Sequence, residues 1–460
     1  MGGLNTSLLV GMQALDVTQA ALDATSNNIA NANTPGYTRE VPQFSENAET
    51  VSGTSVSGGG VALEKLQSIR DELLNIQIQQ QTSLQSSADT QSSSLQRVQS
   101  YFSSTAGGDI ASALSSFSSN LSQLSANPSS SAVQQGVLSS GQDLANAFQN
   151  TSRGLTTARS NADGQVTQTV AQINSLTSQI AQLNGQLSQM TAAGQDGGTV
   201  QDQRDQLVQQ LSKLTGVSVT QSGDGETITT ANGSPLVMGG TSYSLQTATG
   251  SDGMQHVLDS SGVDITASLT GGQLGGAISI RDQIIPSFLT QLNTLATQFA
   301  TAFNAAQAQG FDSRGNPGQA FFAVPANPAD AASGITVAIT NPSAIAISSD
   351  GSAGSNGNIA NLTAALTGSL PSGQTPAQSY ASLDSQVGSS ASNATAQSSA
   401  IGLNLQQLAN QQGSVSAVDT NEETANLIRY QTAYEAAARI VSTVQQLSTV
   451  TLNMGTSGGY

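Results

Sequence analysis

Between Val166 and Met190, apolar residues return at every seventh position. Val166, Ile173, Ile180 and Leu187 form one row; Thr169, Leu176, Leu183 and Met190 form a second, three residues on. Those are a and d positions of a helix seam, sustained over more than three heptads, and they demand a long rod-like helix packed on others. At about 1.5 Å per residue such a helix runs several tens of ångströms.

Both ends of the chain carry fainter versions of the same signal. Leu8, Leu15, Leu22 and Ile29 recur at sevens, but the companion row of Leu4, Gly11, Thr18 and Thr25 is poor. A helix with one good row and one poor row is marginal alone and needs a partner. It should stop in Asn31 to Gly36, where Asn and Gly accept left-handed backbone and Pro35 biases Thr34 away from helix. Val41 to Phe44 reads as extended, followed by a Ser/Gly loop through Gly60. At the other end the spacing predicts a helix with Thr420 or Asn421 as N-cap and Glu422 and Glu423 in its first turn. Leu427, Tyr434 and Val441 form one sevenfold row of that helix, and Ile440, Leu447 and Met454 another. Tyr430 and Tyr434, one turn apart, read as a core or interface stripe. Helical ends around nested β insertions suggest a hairpin-shaped molecule whose termini meet.

The middle divides by composition. Helix is expected from about Ala62 to Lys213, with breaks at Gly107-Gly108, Asn127-Pro128 and Gly194 to Gly198. From Gly216 to about Leu269 short apolar segments are split by Ser222-Gly223-Asp224-Gly225 and Asn232-Gly233, both hairpin signals. Helix resumes near Gly276 through Phe288, Leu292, Leu295, Phe299 and Phe303, a β-leaning stretch covers Phe311 to Ser348, and helix returns at about Pro376. The fold class is therefore mainly α with β insertions, elongated and multi-domain. Its expected parts are paired terminal helices (1–60 with 415–460), a helical shaft (61–215 with 271–310 and 376–414) and a β-rich outer region (216–270 with 311–350).

Chemistry finds little to work with. Only 9% of residues are charged, so solubility rests on hydroxyls and amides. The 12 basic residues lie singly against 29 acidic ones, which argues against nucleic acid or an anionic membrane as partner. There is no cysteine, and the single histidine, His256, leaves no pair for a zinc site. No cofactor, metal or catalytic residue is expected. A Ser-His-Asp arrangement would have to recruit His256, which reads as a surface residue in a strand. Asp202/Asp205 and Glu422/Glu423 read as acids at helix starts rather than a catalytic pair. The loop Asp312 to Gly318 lacks the acidic density of a calcium site and reads as a polar turn. No run approaches the roughly 20 apolar residues of a membrane span. The opening MGGLNTSLLVGMQ has no basic residue, so the chain is expected to be cytoplasmic or exported without a cleaved signal.

Ser26 to Arg39, SNNIANANTPGYTR, resembles the opening motif of the rod, hook and hook-associated proteins of the bacterial flagellum. Asn27, Asn28, Ile29, Asn31, Pro35, Gly36 and Tyr37 carry the match, with Thr38 and Arg39 completing it. Glu422 to Leu447 is similar to that family's C-terminal axial helix. Asp202 to Val219 and Gly271 to Phe322 resemble segments of its members at the junction of hook and filament. The resemblance implies a structural, non-enzymatic subunit at that junction, exported through the flagellar type III channel and assembled as a ring of copies. It also implies axial assembly through Leu8, Leu15, Leu22, Ile29, Asn27, Asn28, Asn31, Pro35, Gly36, Tyr37 and Arg39 at one end, and Leu427, Tyr430, Tyr434, Val441 and Leu447 at the other. Implied partners are the hook protein, a second junction protein on the filament side, and an export chaperone on the last helix. A hook or rod protein fits Arg39 and Gly271 to Phe322 less well, and a secreted coiled-coil effector or adhesin has no reason to carry both the Asn-rich turn and the matching tail. The stretch after Phe322 is short, so a large outer domain is expected to be reduced or missing.

Overall fold

The computed structural model describes residues 2–52, 55–102, 109–195, 197–222 and 225–456. The first helix, α1 (Gly2–Asn31), leads through the Pro-Gly turn into β1 (Glu40–Glu46). A small hairpin, β2 (Thr50–Ser52) with β3 (Ser55–Ser57), precedes β4 (Val61–Ser68), which pairs antiparallel with β1 from Glu40↔Ser68 to Glu46↔Val61. Helix was expected from about Ala62, so this strand is a correction. The shaft begins only at α2 (Glu72–Ser100), where the Asp71 carboxylate accepts the Leu74 N–H at 3.0 Å and fixes the N-cap.

The shaft continues as α3 (Ile110–Ala126), α4 (Ser131–Ala192) and α5 (Gly198–Leu214). The breaks at Asn127-Pro128 and at Gly194 to Gly198 fall where the sequence puts them, whereas Gly107-Gly108 lies outside the described residues. The 62 residues of α4 give a rod of about 90 Å. Val166, Ile173 and Ile180 are fully buried, but the second buried row is Val170, Thr177 and Asn184, while Leu176, Leu183 and Met190 are only half covered. The helix meets a broad surface of α5 and β structure, not the narrow seam of a two-stranded coil.

That surface is an antiparallel sheet in spatial order β5 (Val217–Ser222), β6 (Gly225–Thr230), β7 (Pro235–Met238), β8 (Thr241–Ser242). Gly233, at φ +88°, turns the chain between β6 and β7 as the Asn-Gly signal predicts. A separate hairpin follows, β9 (Gln246–Thr249) with β10 (Gln255–Leu258). Ile228, Leu236, Val237 and Val257 close one core with Val166, Ile173, Ile180 and Leu211.

Next come α6 (Gly272–Ser279), a wide turn at Ile280–Ile284, and α7 (Ile285–Ala308). The turn buries Arg281, whose guanidinium donates to Asp163 at 2.8 Å and to Asp282 at 2.7 Å, fastening α4 to α7. The stretch after α7 holds β11 (Phe322–Ala323), α8 (Ala331–Gly334) and β12 (Thr336–Val337). It packs on a second, larger core with α3, α4 and α7. There Phe117, Phe148, Phe299, Phe303, Phe321 and Phe322 interlock at centroid distances such as 5.1 Å (Phe117–Phe303) and 4.8 Å (Phe321–Phe322). The two β-leaning stretches grouped by the sequence reading thus belong to different cores.

After α9 (Ile359–Thr367), Thr375 and Gln378 form a capping box for α10 (Pro376–Ser416), which runs antiparallel along α2. Over its middle this seam is made of small and polar side chains, whereas at one end Leu95, Val98, Tyr380, Leu383 and Val387 join the larger core. Ser92 and Thr395 bond at 2.7 Å, and Gln412 Nε2 donates to Asn75 Oδ1 at 2.6 Å. The last helix, α11 (Thr420–Thr456), lies along α1. Its cap is Asp419, one residue before the expected positions, with the carboxylate accepting the N–H of Asn421 at 2.9 Å.

Candidate assembly site

The terminal helices meet through the seam that the sequence makes look weak. Gly11, Val17, Ala21, Ala24, Thr25 and Asn28 are the buried residues of α1. A side chain on Gly11 would put its Cβ 2.8 Å from Val441 Cγ2, so glycine is what lets the two backbones come this close. On α11 the covered row is Glu423, Ala437 and Val444, spaced in multiples of seven, with Leu427, Tyr430 and Val441 half-buried beside it. The large apolar residues are left outside: Ile440 is 52% exposed, Leu447 49% and Met454 72%, with Leu9 and Met12 exposed on α1. Leu8, Leu15, Leu22 and Ile29 are half-buried at the edge of the pair, and Tyr434 is exposed. Tyr430 accepts a bond from Arg429 at 3.2 Å.

Where α1 ends, the Asn-rich motif builds a closed polar node. Asn28 is 1% exposed, and its amide is fully used. Nδ2 donates to Glu40 O at 2.8 Å and to Glu423 Oε2 at 3.2 Å, while Oδ1 accepts Tyr37 OH and Glu40 N, each at 3.0 Å. Arg39 completes the node. Its Nε donates to Glu423 Oε1 at 2.7 Å, its Nη2 to Glu422 Oε1 at 2.6 Å, and its backbone N–H to Ser416 O at 3.1 Å. Asn31 and Thr34 stabilise the turn locally, and Asn27, which is exposed, contributes its carbonyl to Asn31 Nδ2 at 3.0 Å. Glu422 and Glu423, which look like dipole-complementing acids, are ion-pair partners of the opposite end of the chain.

The adjoining residue ties the node to the shaft. Thr38 donates through its N–H to Asp202 Oδ2 at 3.0 Å and through its hydroxyl to Asp202 Oδ1 at 2.7 Å. Arg70 bridges Asp202, at 2.6 Å, to Asp205. Burial pushes the Asp202 carboxyl above its ordinary range despite the Thr38 bonds and the Arg70 charge. Thr38 thus faces α5 and Arg39 faces α11, so two consecutive residues hold the axial pair to the shaft. Arg70, Asp202, Asp205 and Gln206 were not foreseen in this role. The signal available was that a chain with so few charges concentrates them in Asp202 to Asp205 and Glu422-Glu423.

Gly36 has two reasons to be glycine. Its φ is +78°, and a Cβ there would lie 2.3 Å from Gln206 Nε2, which donates to Pro35 O at 2.7 Å. Gly36→Val should cost about 2 kcal/mol from left-handed strain together with the displaced Gln206. Thermal unfolding, with hydrogen exchange across residues 198–214, measures it; an unchanged melt would mean the turn does not constrain the joint.

Nothing elsewhere in the described residues resembles a catalytic centre. His256 has Asp264 on Nδ1 at 2.6 Å and Asp252 on Nε2 at 3.3 Å, so neither ring nitrogen is left for a serine. The bond to Asp264 holds the imidazole above its ordinary pKa. Asp312 accepts the N–H groups of Arg314 and Asn316, each at 2.8 Å, as a polar turn does. Among the described residues no helix is long and apolar enough to cross a membrane, and no group of three or more His, Asp or Glu is placed to hold a metal.

A profile of the flagellar hook-associated protein FlgK helical domain matches residues 95–322. The flagella basal body rod protein profile matches residues 8–38, and that of the flagellar basal body rod FlgEFG protein C-terminal matches 411–454. The chain is 30% identical to flagellar hook-associated protein 1 of Bacillus subtilis (strain 168) over an alignment of 509 positions, gaps included, taking in 98% of this chain and 100% of the relative. It is 27% identical to that of Escherichia coli (strain K12), over 96% of this chain and 98% of the relative. The fold is similar to the flagellar hook junction protein FlgK from Burkholderia pseudomallei, with TM-score 0.66 and 21% identity, over 74% of this chain and 100% of that one. Paired axial ends on a helical shaft, with these matches, define a structural component of the bacterial flagellum. The chain belongs to the flagellar hook-associated protein 1 (FlgK) family, and the expected junction role agrees with these matches.

Proposed function

We propose that this chain joins the flagellar hook to the filament as a ring of identical subunits outside the cell, its terminal helices forming the inner wall. The observation that carries the reading is the outward apolar row of α11, left open while α1 and α11 spend their small-residue seams on each other. Covering such a row with a neighbouring copy removes apolar surface from water at about 25 cal/mol per Å². The polar groups between the apolar ones do not oppose this. Thr424, Thr432, Thr443, Thr449 and Thr451 each donate their hydroxyl to the carbonyl four residues back, which leaves methyl groups for a partner and no unpaired donor.

Three zones follow in this reading: an axial unit at the two ends, a shaft, and an outer β region on α4. The hook protein and a second junction protein meet the two faces of the ring. Before export through the type III channel, a helical chaperone covers the open row of α11. A fluorescently tagged copy expressed in flagellated cells tests the placement. One spot where hook meets filament is the expected result; signal along the whole filament, or confined to the cell body, rejects it.

A further inference from the structure

The joint between shaft and four-stranded sheet holds more negative than positive charge. Arg70 contacts Asp202 and Asp205, and Arg204 contacts Asp205 and, at 2.7 Å, Glu226. Two guanidiniums therefore face three carboxylates, with Glu72 standing nearby at the start of α2 and Glu40 buried on β1 beside Gly198. The side chains of Arg204 and Glu226 are 4% and 6% exposed. Fully ionised, the cluster would hold a surplus negative charge with Glu226 itself screened from water, an arrangement that favours taking up a proton there.

The hydrogen bonds indicate where that proton resides. Both oxygens of Asp202 and both of Asp205 accept donors. Glu226 Oε1 accepts from Arg204 and from Gln221 Nε2 at 3.0 Å, but Glu226 Oε2 is buried with no partner among the described residues. An orphan carboxylate oxygen is costly, whereas the same oxygen as O–H needs only an acceptor. Beside it lies a cavity of about 200 Å³ lined by Arg70, Glu72, Gln79, Gln221 and Glu226, room enough for accepting water.

We infer that this joint is a proton-responsive clamp: with Glu226 protonated the cluster is balanced and α5 and β6 are held together, and deprotonation loosens the sheet on the shaft. Burial pushes the Glu226 carboxyl up to about 7 from an ordinary 4.5; Arg204 and Arg70 oppose the rise, and Asp205 and Glu72 add to it. The opened joint releases the proton that the closed joint holds. Opening therefore becomes easier as pH rises from about 4.5 to about 7 and levels off above. Burial of Asp202 acts in the same direction. His256 is engaged with Asp252 and Asp264 on the other hairpin. The inference does not depend on the junction reading.

Hydrogen exchange on the full chain, corrected for intrinsic rates, tests it at about pH 5 and about pH 8. Residues 198–214 and 225–230 should lose protection by about tenfold or more at the higher pH, while α3 and α7 do not change. Glu226→Gln should shrink that difference to the part that Asp202 contributes. Wild-type protection that is flat or rises with pH overturns the clamp, and so does an E226Q slope equal to wild type. Infrared spectra of the unaltered chain decide independently of how the variant folds. A buried protonated-carboxyl band at about pH 6 that fades by about pH 8.5 supports the clamp, and its absence overturns it.

Discussion

Replacing Ile440 and Leu447 together by Asp should abolish incorporation into the flagellum and leave the free subunit folded. Both side chains are about half exposed in the single chain and belong to neither core, and Ile440 lies near Gly11, so the subunit loses only part of its α1–α11 contact. In an assembled ring, two carboxylates would be driven into an apolar contact without donors, at several kcal/mol each. Two such sites repeated around a closed ring reduce assembly by far more than about 100-fold. Fractionating sheared flagella and measuring the variant's share, with circular dichroism on the purified chain, checks both halves. Normal incorporation would show that α11 is not an interface. Leu22→Asp should also block assembly, but Leu22 is half-buried, so that variant additionally weakens the α1–α11 pair.

Asn28→Leu should uncouple the two ends of the chain. Leucine is close in size to asparagine, yet it removes the bonds that the Asn28 amide makes to Tyr37 OH, Glu40 N and Glu423 Oε2 at 3.0 to 3.2 Å. Losing a buried hydrogen bond, above all one to a charged group such as Glu423, costs about 1–3 kcal/mol. With some relaxation toward water, the loss is about 3 kcal/mol, or roughly 100-fold in the opening equilibrium of the axial pair. Exchange protection in residues 20–31 and 420–430 should fall by that factor, with the Phe117 core unaffected. Equal loss in both regions would mean that axial pair and shaft unfold as one unit.

Periodicity made the long rods legible, because a sevenfold apolar row suits a packed helix and little else. Val166, Ile173 and Ile180 are buried as their spacing predicts, and the stripe from Phe288 to Phe303 forms the wall of the larger core. The Asn-Gly turn and the start of α10 at Pro376 were equally readable, since turn and capping chemistry is local. β4 was missed because Val61 to Ser68 alternates weakly and owes its conformation to β1, about twenty residues away. Asp71, a good N-cap followed by Leu73-Leu74, was the local sign that helix starts later.

The interface was harder to read for a physical reason. Helices are ranked by their large apolar rows, and here those rows lie at the edge of the pair or open to solvent, while smaller residues form its centre. The seam that closes α1 on α11 is Gly11, Ala21, Ala24 and Thr25, residues whose value lies in their small size. Likewise, Glu422-Glu423 and Asp202 to Asp205 lie near helix starts, where acids suit the dipole whatever else they touch. Only the fold brings Arg39 and Arg70 to them across separations of more than a hundred residues. Pairings at that distance leave no periodic trace.

In the flagellum the exposed row of α11 should be covered by other copies of the chain. Because the sequence contains no cysteine, a single introduced thiol reports on one position. Ile440→Cys and, on the outer β region, Val263→Cys are compared by maleimide labelling in the free subunit and in intact flagella. Both should label readily when free; on assembly the thiol at 440 should be shielded at least about tenfold while that at 263 stays reactive. Equal labelling at 440 in free and assembled protein would contradict the account.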